Sequence, residues 1–369
     1  MRNNQNVMHF SQLFRLMVLF ELGSALVFPL NVEAKEAGWI STLLGMALAL
    51  LFYVVFCYIA RDNPRQPLTV VIEGIIGRVP GKILAFLYTL FFIYQASRQF
   101  NDFALLMNVS VFDQTPIIMI HAMMVVTIGY VLSLGIVVLA RTGEVFYVVM
   151  LSMILLSSVL IVVSGIVDLE RLMPILGDGV GSILMSFPRS VNFPFTEVIA
   201  FMMLTPFLKE RGSLLRTGII SLIFSGLILA WITALNVSVL GVDILSQSFF
   251  PFLMSISEVN ISNFIQRLDV IAVMMLIIGV FFKASIFYAA SVVAVYRLFH
   301  MTSYRTAVLL VGMVTFLSAI VISPNSSHHI QEGLISNQWF IYLPFEMTIP
   351  VLLGGWVWLR NKFKREHNT

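Results

Sequence analysis

The sequence predicts an all-α polytopic membrane protein of ten transmembrane helices, arranged as two inverted five-helix repeats with helices 1 and 6 broken. Three observations carry this. Of 369 residues, 59% are hydrophobic and only 11% charged, against about 25% charged in soluble domains, and the mean hydropathy is +0.94. Ten apolar segments are each long enough to cross a bilayer, which takes about 20 residues. Two of them are interrupted, and five spans separate the interruptions.

The spans are expected at 10–31, 37–60, 82–107, 116–139, 145–167, 186–208, 214–240, 266–297, 303–323 and 339–360. They form a single integral membrane domain over residues 1–369, with repeats over about 10–167 and 186–360. Met1 to His9 is polar and leads straight into the first span without a small-residue cleavage site, so no removable signal peptide is expected. Of the 22 lysines and arginines, Lys35, Arg171, Arg189 and Arg267 fall on one side, and Arg98 and Lys283 lie inside spans. The other sixteen fall on the opposite side, which the positive-inside rule makes cytoplasmic. Both termini are then cytoplasmic. The loop 61–81, with Pro64, Pro67, Gly74, Gly77, Pro80 and Gly81, reads as structured. The outer loops 168–185 and 241–265 could each hold a short surface helix. Cys57 is the only cysteine, which excludes an internal disulfide and reads as packing.

The first interruption is Gly23-Ser24-Ala25-Leu26-Val27-Phe28-Pro29. The second is Asn192-Phe193-Pro194-Phe195-Thr196-Glu197. Pro194 lacks an amide hydrogen and clashes with the turn before it. Broken backbone at membrane depth survives only where protein buries it or it lines a cavity. Interrupted segments at matching positions of two halves point to a midplane site, and repeats of five spans necessarily run in opposite directions. Amides near Gly23, Ser24 and Ala25 could hold a carboxylate, because a broken helix leaves unpaired groups at its new ends. Thr196 and Glu197 could hold an ammonium or hydroxyl. The alternative for Ser24 and Thr196 is a bond back to their own helix.

Three further places carry buried charge. Tyr94, Arg98 and Asp102 stand at i, i+4 and i+8 on one face of the third span, either as a coupling or gating group or as a structural pair. Lys283 lies well inside the eighth span and needs a partner. It is either a fixed charge in place of a coupling cation or half of an ion pair, with Glu21 the candidate partner. Glu346, beside Pro344, is a further acid in the tenth span at a depth the sequence does not fix. His328-His329 lacks neighbouring metal ligands and reads as a solvated loop pair. No phosphate loop, catalytic triad or zinc signature is present, so neither an enzyme nor a cofactor is expected.

The chain resembles the B-subunit family of spore germinant receptors, the endospore germination permeases, within the amino acid–polyamine–organocation transporter superfamily. The matching features are Phe10-Ser11-Gln12 before a span with Gly23 and Pro29, Gly38-Trp39-Ile40, Asp113 to Thr115-Pro116, Phe193-Pro194-Phe195-Thr196-Glu197 with Pro206-Phe207, and Phe282-Lys283. The resemblance covers essentially the whole chain. It implies a LeuT-like fold and a nutrient receptor in the spore inner membrane, working with an A subunit and a C-subunit lipoprotein. Germinants in the family are amino acids, sugars, nucleosides or ions. It places ligand at Gly23, Ser24, Ala25, Phe193, Phe195, Thr196 and Glu197. The competing functions are an ion-coupled amino-acid symporter and a scaffold that binds nothing.

Overall fold

The apolar segments fold as helices, and the two interrupted ones do not fold as single helices. A computed structural model describes residues 7–366 apart from 27, 62, 113, 175, 176, 178, 210–212, 260–268 and 323–337. Arg2, Val27, Asp113, Asp178, Arg211, Arg267, His328 and His329 lie outside the described residues. Among those described there are twelve α-helices and no strand, and eight helices are long and apolar enough to cross a membrane.

In chain order the α-helices are α1 (Phe10–Leu22), α2 (Gly38–Ala60), α3 (Leu68–Ile76), α4 (Arg78–Ser110), α5 (Ile117–Leu134), α6 (Ile136–Val163), α7 (Val180–Asn192), α8 (Ser213–Gln247), α9 (Pro251–Ser257), α10 (Asp269–Leu298), α11 (Tyr304–Ile322) and α12 (Ile349–Glu366). The first expected span is α1 followed by a 3-10 turn, Ser24–Leu26. The sixth is α7 followed by 3-10 segments Phe195–Met203 and Thr205–Phe207. Neither is one continuous helix, which is why only eight long helices stand where ten spans are expected.

Several boundaries differ from the expected ones: α7 begins at Val180 rather than 186, and α8 runs on to Gln247 rather than 240. The fourth and fifth spans meet at Gly135, whose φ of 113° ends α5. The loop expected at 140–144 is helix instead, and Arg141 and Glu144 belong to α6. Glu144 there accepts from Arg15 of α1 at 2.6 Å. The tenth span opens with a π-helical stretch, Gln338–Thr348, before α12. The loop 61–81 does hold a helix, α3, and the two long loops hold the 3-10 turn Leu169–Leu172 and α9.

Helix α10 is the centre of the bundle. It is buried almost all round from Ala272 to Ala294, as a helix apolar on every face must be. It packs most extensively on α4 and also meets α1, α6, α11 and the 3-10 pieces of both interrupted spans. The contact with the first break is backbone on backbone. A Cβ at Gly279 would stand 2.6 Å from the Gly23 carbonyl oxygen. Small residues permit such approaches between membrane helices. The two interrupted spans are also tied together at one end, where Met8 N–H donates to Phe207 O (2.7 Å) and Lys209 N–H donates to Met8 O (3.0 Å).

This contact makes a clear expectation. Gly279→Val pushes the α1 break off α10 and should destabilise the protein by at least about 1–3 kcal/mol. Gly355→Ala, where nothing lies within 4 Å, should stay within about 0.5 kcal/mol. Thermal unfolding of the two variants in one detergent checks both.

Candidate functional site

The site is built where the two breaks face α10 and α4. Gly23 ends α1, and its φ of 8° and ψ of −124° stop the helix. With no side chain it leaves room for Lys283, whose aliphatic stem passes over it. A Cβ at Gly23 would stand 2.9 Å from Lys283 Cδ. The stem is completely buried, and the ammonium reaches Glu197 Oε2 at 2.5 Å. That contact has ion-pair distance without the angles of a hydrogen bond. Lys283 Nζ also lies 4.2 Å from the centre of the Phe193 ring and 5.6 Å from that of Phe20, on the ring faces that favour cations.

The partner of Lys283 is thus Glu197 rather than Glu21. The reason is the path of its stem across Gly23 towards the second break. Glu21 is fully buried, and neither of its oxygens has a hydrogen-bond partner among the described residues. It acts electrostatically on Lys283, Glu197 and Glu346.

Thr196 donates to Glu346 Oε2 at 2.7 Å, and its hydroxyl also lies 3.3 Å from Asn192 O at the end of α7. The shorter contact takes its hydroxyl to the tenth span rather than only back along its own segment. Ser24 does not bond back. It donates to Gln99 Oε1 on α4 at 3.3 Å. Gln95 of α4 donates to Glu197 Oε1 (3.4 Å) and Glu346 Oε1 (3.3 Å), joining the second break to the tenth span. Ala25 and Phe195 are buried in the surrounding core, and Phe193 is half-buried. Tyr94, Arg98 and Asp102 do share one face of α4. Arg98 is buried, bonded to Tyr94 and under the influence of Asp102 and Tyr342, and its charge and that of Asp102 act on Glu197.

The structure therefore brings together Gly23, Ser24, Thr196, Glu197 and Lys283, with Arg98 beside them. Sequence reasoning passed over Gln95 and Gln99 and left Glu346 without a depth. Glu346 is completely buried. The available signal was the same for all three, a polar side chain inside an apolar span. The π-helical turn around Pro344 belongs to a geometry frequent at functional sites. Among the described residues no group of acidic, histidine or cysteine side chains could hold a metal ion.

A sequence model of the spore permease family, described as spore germination protein, matches residues 7–327. The chain belongs to this family. It is 35% identical over 343 residues to spore germination protein KB of Bacillus subtilis (strain 168), covering 93% of this chain and 92% of that relative. It is 23% identical over 206 residues to spore germination protein YndE of the same organism, covering 54% of this chain and 56% of that one. The chain is a multi-pass membrane protein of spore germination, in a family of germination proteins rather than enzymes.

The buried pair has a testable signature. Removing one charge strands the other, which costs about 3–5 kcal/mol. Glu197→Gln and Lys283→Met should each lower stability by that order, and the double variant should recover most of the loss. Thermal unfolding of the four proteins in one detergent measures the coupling. Additive losses would mean that the pair is not formed.

Proposed function

We propose that this chain is the nutrient-sensing B-type subunit of a spore germinant receptor. It binds a small germinant, an amino acid or a similar molecule, between the two broken spans. The observation that carries the reading is the meeting of both breaks on α10 around the Lys283–Glu197 pair. Ionisable groups inside a bilayer face protein or cavity and mark ligand or ion pathways. Gly23, Ser24 and Ala25 supply the pole for a carboxylate, and Thr196 and Glu197 the pole for an ammonium. Phe193 and Phe195 flank the second pole. Tyr94, Arg98, Asp102 and Lys283 form the coupling and gating group, because they connect α4 and α10 to the breaks.

The broader architecture follows the same reading. The two interrupted spans, five apart, support residues 10–167 and 186–360 as inverted repeats in one membrane domain of LeuT-like design. The charge distribution supports cytoplasmic termini, and membership of a germination family supports a seat in the spore inner membrane. A germinant that prefers one packing of the bundle shifts the population towards it in proportion to its differential affinity. An A subunit and a C-subunit lipoprotein read that shift.

A second reading, an ion-coupled amino-acid symporter, is favoured by one observation. Glu21, Glu197 and Glu346 outnumber Lys283 in the buried cluster, and surplus acid groups suit proton or cation exchange. Retention of labelled germinant in sealed liposomes separates the two. A sensor reaches a plateau of at most one molecule per binding site, whereas a symporter climbs with time and with an ion gradient.

In spores, the Glu197→Gln/Lys283→Met double variant should accumulate in the membrane at the normal level yet lose the germination response. A normal response from that variant would remove the central pair from the sensing mechanism.

A further inference from the structure

A cavity lies at the end of the bundle that the charge distribution makes external. It has a volume of about 240 Å³. Asn31 and Glu33 line it from the segment after the first break. Arg189, Ser190 and Phe193 come from α7 and its end, and Phe249 from the turn after α8.

Three observations distinguish it from a surface dimple. Arg189 and Glu33 form an ion pair across it, and their side chains are 34% and 48% exposed, so water-borne solutes reach both. The remaining lining is uncharged, a mixture of polar, aliphatic and aromatic side chains. The wall is also held in costly backbone. Asn31 has φ 53° and ψ 40°. Such conformations of non-glycine residues cost about 1–3 kcal/mol each and gather at ligand sites. The buried Asn31 amide is held between Thr42 Oγ1 (2.9 Å) and Ser186 Oγ (3.0 Å), which fixes that wall. Finally, Phe193 lines the cavity while Lys283 Nζ sits 4.2 Å from its ring centre. The cavity ends where the central pair begins.

The geometry points to an outer binding subsite for a free α-amino acid, recognised by its two backbone charges at Arg189 and Glu33. A zwitterion inserted between them keeps every charge paired. Its carboxylate takes the guanidinium fork, a bidentate match, and its ammonium takes Glu33. A monoanion or monocation would satisfy one side and strand the other. A neutral sugar offers neither charge a partner. The subsite uses none of the polar groups of the central site, so it stands or falls independently of the broken-helix reading.

Equilibrium retention of a radiolabelled mixture of L-amino acids by the purified chain in lipid nanodiscs tests it. The background is the Glu197→Gln/Lys283→Met protein, whose central pair is neutral. That protein should still retain label saturably. Adding Arg189→Gln or Glu33→Gln should cut retention tenfold or more, with gel-filtration behaviour unchanged. Excess glycine should displace the label, and neither acetate nor methylammonium should do so at the same concentration. Retention unaffected by both substitutions overturns the subsite. Retention by the unsubstituted chain that disappears with the central pair overturns it too, and leaves the broken-helix reading standing. Absence of retention by any of these proteins also overturns it, while the germination response of the central variant tests the other site separately.

Discussion

The contact between Lys283 and Glu197 is the constraint on which the rest of the interior depends. Each charge alone would be held in hydrocarbon-like surroundings at a cost of several kcal/mol. Each therefore fixes the position of the element carrying the other, α10 on one side and the 3-10 segment after Asn192 on the other. Gly23 and Gly279 are the corollary. The lysine stem can pass to the second break only if the first break offers no side chain and lies directly on α10. A pair of glycines and a pair of charges thus bring together two interrupted segments that are far apart in sequence.

Around that pair the polar groups are arranged in a graded way. Glu197 has a full counter-charge and one amide donor. Glu346 has only neutral donors, from Thr196 and Gln95. Glu21 has none. Buried polar groups without partners are expensive. An interior that holds Glu21, Glu197 and Glu346 beside Lys283 and Arg98 is not one that stability alone favours. A bundle poised between two packings is the simplest use for such an interior, because a ligand or cation that completes the missing contacts in one packing selects that packing.

Much of this was legible in the sequence, for reasons that can be named. The fold class follows from hydropathy, because lipid forces every backbone group to pair within a helix. The positions of both breaks were set by Gly23 and by Pro194, residues whose backbone chemistry acts locally. Lys283, Arg98 and Glu197 stood out because charge is rare at membrane depth. The partner of Lys283 was not legible, since i to j pairing over 86 positions depends on which helix lies against which break. The join between α5 and α6 was misjudged because Arg141 and Glu144 look like loop residues. In the structure Arg15 supplies the partner that lets Glu144 remain on a helix, and Gly135, with no charge to mark it, makes the turn. Gln95 and Gln99 were hidden by their neutrality. An uncharged amide in an apolar run has little weight in a hydropathy reading, although it can join two carboxylates.

The two candidate sites share Phe193, and this makes their relation mechanical rather than merely spatial. This residue lines the cavity, and its ring lies over the ammonium of Lys283. Displacing that ring would remove a cation–π contact from Lys283, worth about 2 kcal/mol when desolvated. The ammonium is then held by Glu197 and Phe20 alone, with Glu21 still unbonded within electrostatic reach. Movement of the chain at the second break and release of Lys283 from its present arrangement are thereby coupled through one side chain. This is the kind of local rearrangement a packed and bistable bundle can amplify. It requires the ring to be attached at the break, where α7 has ended and the chain is extended, with φ −110° and ψ 118° at Phe193.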